Sequence, residues 1–188
     1  IQRGIQCNLD RWADQSYYLE LWYEARGMTR QFQHYTDHVT LCPMAGQPSI
    51  PFKWDLAKHL EGAAKRYGVP VVVLYFGDLD EGGEVISEVV ERDVRTFCSV
   101  PFDFVRCGLN EDQVARYGVP ENPDKPGQYQ WEALPDAAAA EIIYSSMEPY
   151  VRHDALSTRD TEEDHAEQWL REELEDLTAK WNSNITLQ

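Results

Sequence analysis

The segment Pro70-Val71-Val72-Val73-Leu74-Tyr75-Phe76-Gly77-Asp78-Leu79-Asp80-Glu81-Gly82-Gly83 decides how this chain folds. Its first half is short, apolar without a break and β-branched, the pattern of a strand covered on both faces in a parallel sheet. Its second half is a tight acidic loop rich in glycine, and a helical pattern from Glu84 to Phe97 follows it, with Val85, Ile86, Val89, Val90 and Val94 read as one side. Phe102 to Cys107 returns as a strand. Working upstream, Leu56, Leu60, Ala63, Ala64 and Tyr67 recur at helical spacing between Phe52 and Tyr67, and Gly68 supplies the stop. A strand at His38 to Cys42 closed by Pro43, a short helix over Met28 to Tyr35 and an aromatic strand Leu19-Glu20-Leu21-Trp22-Tyr23 precede it. The order β-α-β-α-β-α-β predicts an α/β domain: a Rossmann-like parallel sheet flanked by helices, with right-handed crossovers.

Downstream, Asn110-Glu111-Asp112-Gln113 opens a short helix ending at Tyr117-Gly118, Pro120 to Pro126 is a proline-rich loop, and Asp136 to Tyr150 is an alanine-rich helix. Trp169, Leu170, Leu174, Leu177 and Trp181 then recur at helical spacing amid glutamates, which predicts a C-terminal acidic amphipathic helix over Thr158 to Trp181, packing on the domain or on a partner. The expected division is an approach segment at 1–18, a catalytic-type domain at 19–150 and a helical appendage at 151–188. Ile1-Gln2-Arg3-Gly4 has neither an initiator Met nor the apolar core of a signal peptide, so the approach segment is expected to be the tail of an additional N-terminal domain in a longer protein.

With 17 Lys+Arg against 33 Asp+Glu among 188 residues, the formal charge is −16, which argues against a simple basic nucleic-acid clamp. A hydrophobic content of 43% with six Trp and ten Tyr supports a real core and excludes global disorder. No apolar run is long enough to span a membrane. The four cysteines, Cys7, Cys42, Cys98 and Cys107, form no CxxC pair, and the expected role is small buried residues in a reducing cytoplasm. Neither a Walker A loop nor a Rossmann glycine fingerprint is present.

In an open parallel sheet, ligands bind beyond the carboxyl ends of the strands. Glu24 stands at one such end; Asp78 and Asp80 stand at another. Two carboxylates spaced two residues apart in a turn, with a third from a neighbouring strand, suit a hard divalent cation that keeps part of its water, Mg2+ or Mn2+. The competing reading is structural, because Asp beside glycine commonly serves turns and helix caps.

The pattern resembles the Toprim domain shared by topoisomerases, primases and several nucleases, in which a Glu ends one strand and an Asp-x-Asp a later one. Arg11-Trp-Ala-Asp-Gln15, Tyr23-Glu24, Val72 to Gly83, and Asp112-Gln113-Val114 with Tyr117-Gly118-Val119-Pro120 are similar to stand-alone Toprim proteins of phage and prophage, and through them to the catalytic subunit of topoisomerase VI. The resemblance covers about residues 10 to 150 as separate motifs. It implies a Mg2+-dependent (or Mn2+-dependent) nuclease or topoisomerase-like enzyme that cleaves phosphodiester bonds of nucleic acid, DNA before RNA. Glu24 would be ligand or general acid/base, and Asp78 and Asp80 metal ligands. Many phage relatives carry Lys directly after the glutamate; here Ala25 stands there, and Arg26 one place on is the candidate phosphate contact. Glu132 is a candidate supporting or second-metal acid, with helix entry as its alternative role.

No nucleophilic tyrosine is assigned; Tyr17 and Tyr18 are expected in the core or an interface. His34 and His38, with Asp37 between them, read as a surface pair, His59 as solvated, and Lys125 as at most a lone phosphate contact. The rival reading is a catalytically inactive Toprim-like module that binds metal or nucleic acid, or docks a protein, as a homodimer or through its C-terminal helix.

Overall fold

The computed structural model describes residues 6–36 and 38–186; residues 1–4 of the N-terminal reading and Asp37 lie outside them. The chain divides into two compact units: one spans Ser16–Val151, and the other joins the segment up to Gln15 with Arg152 onward.

The larger unit is α/β. Strands β1 (Tyr18–Tyr23), β2 (Thr40–Pro43), β3 (Val71–Phe76) and β4 (Phe102–Gly108) form one parallel sheet in the order β2-β1-β3-β4. Helices α1 (Thr29–Tyr35), α2 (Ile50–Tyr67) and α3 (Glu81–Phe97) are the crossovers, followed by α4 (Glu111–Tyr117) and α5 (Asp136–Met147). Helix α2 packs on α3, and α1 packs on α5. Every residue of β1 and β3 is buried, as expected for the Val-rich strand, whereas the edge strand β2 is half-buried throughout.

Local chemistry sets the helix ends. Ser49 accepts from the Phe52 N–H at the start of α2, Pro51 lies in its first turn, and Gly68 ends it at φ 67°, the left-handed conformation that the sequence assigned to this glycine. Two packing expectations are corrected. On α3 the buried residues are Gly83, Ser87, Val90 and Val94, whose 4-3-4 spacing leaves Val85 on the outer side and 47% exposed. On α2 the buried face includes Lys53, whose ammonium lies 2.7 Å from the Asp93 carboxylate of α3. That pair bridges the two helices.

The smaller unit contains α6 (His153–Thr186), longer at both ends than its apolar spacing indicates. Gln15 and Arg152 exchange hydrogen bonds, the Arg152 N–H donating to Oε1 at 2.7 Å and the Gln15 Nε2 donating to the Arg152 carbonyl at 3.1 Å. Arg11 pairs with Asp160 and Glu163, and the N–H groups of Leu9 and Cys7 donate to Glu163 and Glu167. Acids in the first half of α6 therefore tie down the N-terminal segment. No helix among the described residues is long and apolar enough to cross a membrane.

Candidate active site: paired acids at the switch point of the sheet

From β1 the chain moves to one edge, β2, and then crosses back to β3 on the other side of β1. The crevice between the carboxyl ends of β1 and β3 is thus where strand order reverses, the usual binding position in an open α/β sheet. Tyr23 and Phe76 are register partners, so the residues after them leave the sheet side by side. The Glu24 N–H donates to the Phe76 carbonyl at 2.9 Å, and Glu24 Oε2 accepts from the Asp78 N–H at 3.1 Å. Sequence reading proposed that these two acids share a site, and the structure brings them together.

Glycine makes that approach possible. A Cβ on Gly77 would stand 2.7 Å from Glu24 Oε2, and one on Gly83 would stand 2.9 Å from the same oxygen and 2.5 Å from the Asp78 carbonyl. Real side chains do not tolerate such distances, so the Glu24 carboxylate lies against bare backbone.

Asp78 Oδ1 accepts from the Trp131 N–H at 2.8 Å. Asp80 is the N-cap of α3, its Oδ1 accepting from the Gly83 N–H at 2.6 Å. Asp80 therefore performs the capping role weighed as the structural alternative, at the positive end of the helix dipole. Each of the three acids is anchored through one oxygen on a backbone N–H, and among the described residues its other oxygen has no hydrogen bond.

The electrostatics are unfavourable to charge. Desolvation pushes the Glu24 carboxyl above the usual range, the Asp78 N–H opposes this, and the fields of Asp78 and Asp80 add to it. Asp78 is raised likewise, first by desolvation and then by Asp80 and Glu132, with the Trp131 N–H and Arg106 opposing. Arg106 is the nearby cation, but its Nη2 donates to the Asp78 carbonyl at 2.6 Å rather than to a carboxylate. Beside Asp80 opens a cleft of about 630 Å³, lined by Leu79, Glu81, Glu84, Glu111 and Tyr129 among others.

Among the described residues, no three His, Cys, Asp or Glu side chains already surround a point that an ion could occupy. The donor set nonetheless suits Mg2+, which is characteristically held by one or two carboxylates plus water and substrate phosphate rather than by an all-protein cage. Glu24 and Asp78 are such a pair. Asp80 adds field, with one oxygen committed to the helix.

The remaining sequence candidates are distributed as follows. Glu132 reaches the site: its Oε1 is 2.9 Å from where a Gly27 Cβ would be, and its charge acts on Asp78. Arg26 is exposed in a 3-10 turn after β1, and Lys125 is exposed in its loop. Helix α1 ends at Tyr35 and Thr36 is extended, so His34 and His38 share no helical face. Tyr18 is buried at the amino end of β1, stacked on Tyr67 at 5.2 Å, and Tyr17 meets Tyr150 edge-on. Both are far along the strand from Glu24, in core roles as expected. All four cysteines are free; burial pushes the Cys42 thiol up to about 12 and Cys107 up to about 11, which disfavours a thiolate nucleophile.

Sequence reading missed three features. Arg106 was legible as the lone cation near the carboxyl end of an apolar strand. Trp131 joins Tyr23, Phe32 and Phe76 in an aromatic cluster under the acids, with ring centroids 4.7 to 5.7 Å apart. Three of its members, Tyr23, Phe76 and Trp131, immediately precede Glu24, Gly77 and Glu132 in sequence, so core packing fixes where those residues emerge. Glu20, 1% exposed within β1, accepts from Trp22 Nε1 at 2.8 Å and pairs with His59 at 2.9 Å, so His59 is a partner of a buried acid rather than merely solvated.

Comparison of the chain with known protein families, with curated proteins and with solved structures finds no match.

Proposed function

We propose that the chain is a Toprim-like, Mg2+-dependent enzyme that cleaves phosphodiester bonds in nucleic acid, DNA in the first instance. The observation that carries this reading is the Glu24–Asp78 pair at the switch point, where Glu24 accepts from the Asp78 N–H; burial and neighbouring acids raise both carboxyls, and neither has an ion pair among the described residues. A divalent cation bound there would polarise a phosphodiester and stabilise the departing alkoxide. Glu24 and Asp78 would hold it, each through the oxygen not anchored on a backbone N–H. Asp80 and Glu132 deepen the negative field that attracts it. Glu24, with its proton held more tightly than an ordinary carboxyl, is also suited to move a proton at the scissile phosphate. Arg106 fixes the Asp78 main chain and so positions that carboxylate. An acid-lined cleft repels phosphate unless a cation intervenes, which ties nucleic-acid binding to metal.

The test is nicking or linearisation of supercoiled plasmid with Mg2+ or Mn2+. Wild type should cut, and Glu24→Gln and Asp78→Asn should lose at least about 100-fold in rate while remaining folded. Equal cutting by either variant removes the site assignment. A second reading, an inactive module that binds a cation or nucleic acid, is favoured by Ala25 in place of the family's lysine and by the capping role of Asp80. Cation binding without cleavage, abolished by Asp78→Asn, selects it.

A further inference from the structure

The distal half of α6 carries an exposed apolar seam. Leu170, Leu174, Leu177 and Trp181 are 38%, 55%, 59% and 67% exposed. Their spacing of four, three and four is the a/d spacing of a coiled coil, in which such residues form the contact line between two helices. We propose that this seam pairs with the same seam of a second copy, antiparallel, to form a two-fold dimer of the chain.

The charges beside the seam select both partner and direction. In an antiparallel pair each a residue faces a d residue, so Leu174 meets Leu177 of the second copy and Leu170 meets its Trp181, giving four layers related by a two-fold axis. In that register the flanking position of Glu173 falls opposite that of Lys180 in the second copy, and symmetry repeats the pair. Arg171 faces Thr178, a neutral residue. The parallel arrangement instead sets Glu173 beside Thr178 and Arg171 beside Ala166, and makes no pair of opposite charge. Glu172, Glu175 and Asp176 lie on the outer face, away from the contact line, so two acidic helices approach without like charges meeting. Lys180 is exposed and pairs with Asp176 of its own helix, and Glu173 is exposed with no ion pair among the described residues, so both are available to the rim. The seam stops where polar residues replace apolar ones: the preceding a position is Glu167, which accepts from the Cys7 N–H.

Three helical turns on each side make a contact at the small end of specific interfaces, so the dimer is expected to dissociate with a Kd of about 10–100 µM. Sedimentation velocity of the full chain, from about 1 to 300 µM at about 0.15 M salt, should show a monomer passing to a dimer. Leu174→Glu with Leu177→Glu should leave a monomer throughout, with unchanged helical circular dichroism. Glu173→Lys alone and Lys180→Glu alone should each weaken association about tenfold, because each makes two like-charge contacts, and the double exchange should restore it. A monomer at every concentration overturns the proposal. So does a dimer indifferent to the leucine pair, which places the contact elsewhere, or failure of the double exchange to rescue, which overturns the register. A wild-type monomer that binds a basic amphipathic peptide through the same leucines would identify a heterologous occupant and also overturn it.

Discussion

Replacing Gly83 by alanine isolates the feature on which the acidic site depends. The added Cβ would stand 2.5 Å from the Asp78 carbonyl and 2.9 Å from Glu24 Oε2. Reaching even about 3.0 Å requires main chain to move by about half an ångström, and the oxygen in the way already accepts from Arg106. Overpacking of this kind costs about 1–3 kcal/mol. Alanine in the first turn of a helix returns about 0.5–1 kcal/mol through the unfolded chain and helix propensity, so the net loss is about 1.5 kcal/mol. For a chain of this size that lowers Tm by about 3–6 °C. Gly62 supplies the control: it lies inside α2, and a Cβ there meets nothing within 4 Å, so Gly62→Ala should raise Tm by about 1–4 °C. Scanning calorimetry reads both. The same displacement moves Glu24 and Asp78 relative to each other, so Gly83→Ala should weaken Mn2+ binding at least about tenfold while Gly62→Ala leaves it unchanged. If Gly83→Ala matches or exceeds wild type in Tm while Gly62→Ala gains, the packing account of this loop is wrong.

Four further expectations concern the same fold. Because the folded-state carboxyls of Glu24 and Asp78 are raised, their ionisation costs stability; that cost is present above the raised values and disappears as pH falls to the ordinary carboxylate range, so Mn2+ stabilisation measured by thermal shift should be large at pH 7.5 and small near pH 5. The His59 ring is raised by its bond to Glu20, so the protonated pair adds stability that is complete below about pH 6.5 and is lost as pH rises through the raised value; Glu20→Gln should flatten that part of the urea-stability profile. Asp93→Asn leaves Lys53 buried without its counter-charge and should cost about 3 kcal/mol in urea denaturation, whereas Lys53→Met with Asp93→Leu should be nearly neutral. Trp131→Ala should cost about 3–5 kcal/mol, since it empties the aromatic cluster and removes the bond to Gln31.

What was legible in the sequence is what period and punctuation encode. Val71 to Phe76 is apolar without interruption because β3 is buried on both faces, and Gly68 ends α2 because only glycine enters the left-handed conformation cheaply. The joining of Glu24 to Asp78 was legible because both follow strands, and strand ends in a parallel sheet converge. What was not legible depends on partners distant in sequence. Lys53 reads as a surface residue until Asp93, on another helix, is placed beside it. Glu20 reads as one polar position in an alternating strand, and its burial follows from β1 being central, with His59 and Trp22 close enough to satisfy it. Arg11 reads as part of an approach segment, and its partners Asp160 and Glu163 are far along the chain.

The formal charge of −16 is therefore several different populations of acids. Asp160, Glu163 and Glu167 serve the N-terminal segment through Arg11 and backbone N–H groups, Asp93 pairs with the buried Lys53, and the buried Glu20 pairs with the exposed His59. Those charges are satisfied within the fold, and a bound ion would gain little from them. Glu24 and Asp78 differ because their neighbours raise the cost of ionisation while, among the described residues, their supports are backbone N–H groups and one guanidinium directed at a carbonyl. Asp93 and Glu20, by contrast, each face a basic side chain directly, Lys53 and His59. At the switch point, where glycines have cleared space for a carboxylate, Arg106 is the nearby cation but is directed at a carbonyl, and under the proposed function a bound cation supplies the remaining positive charge.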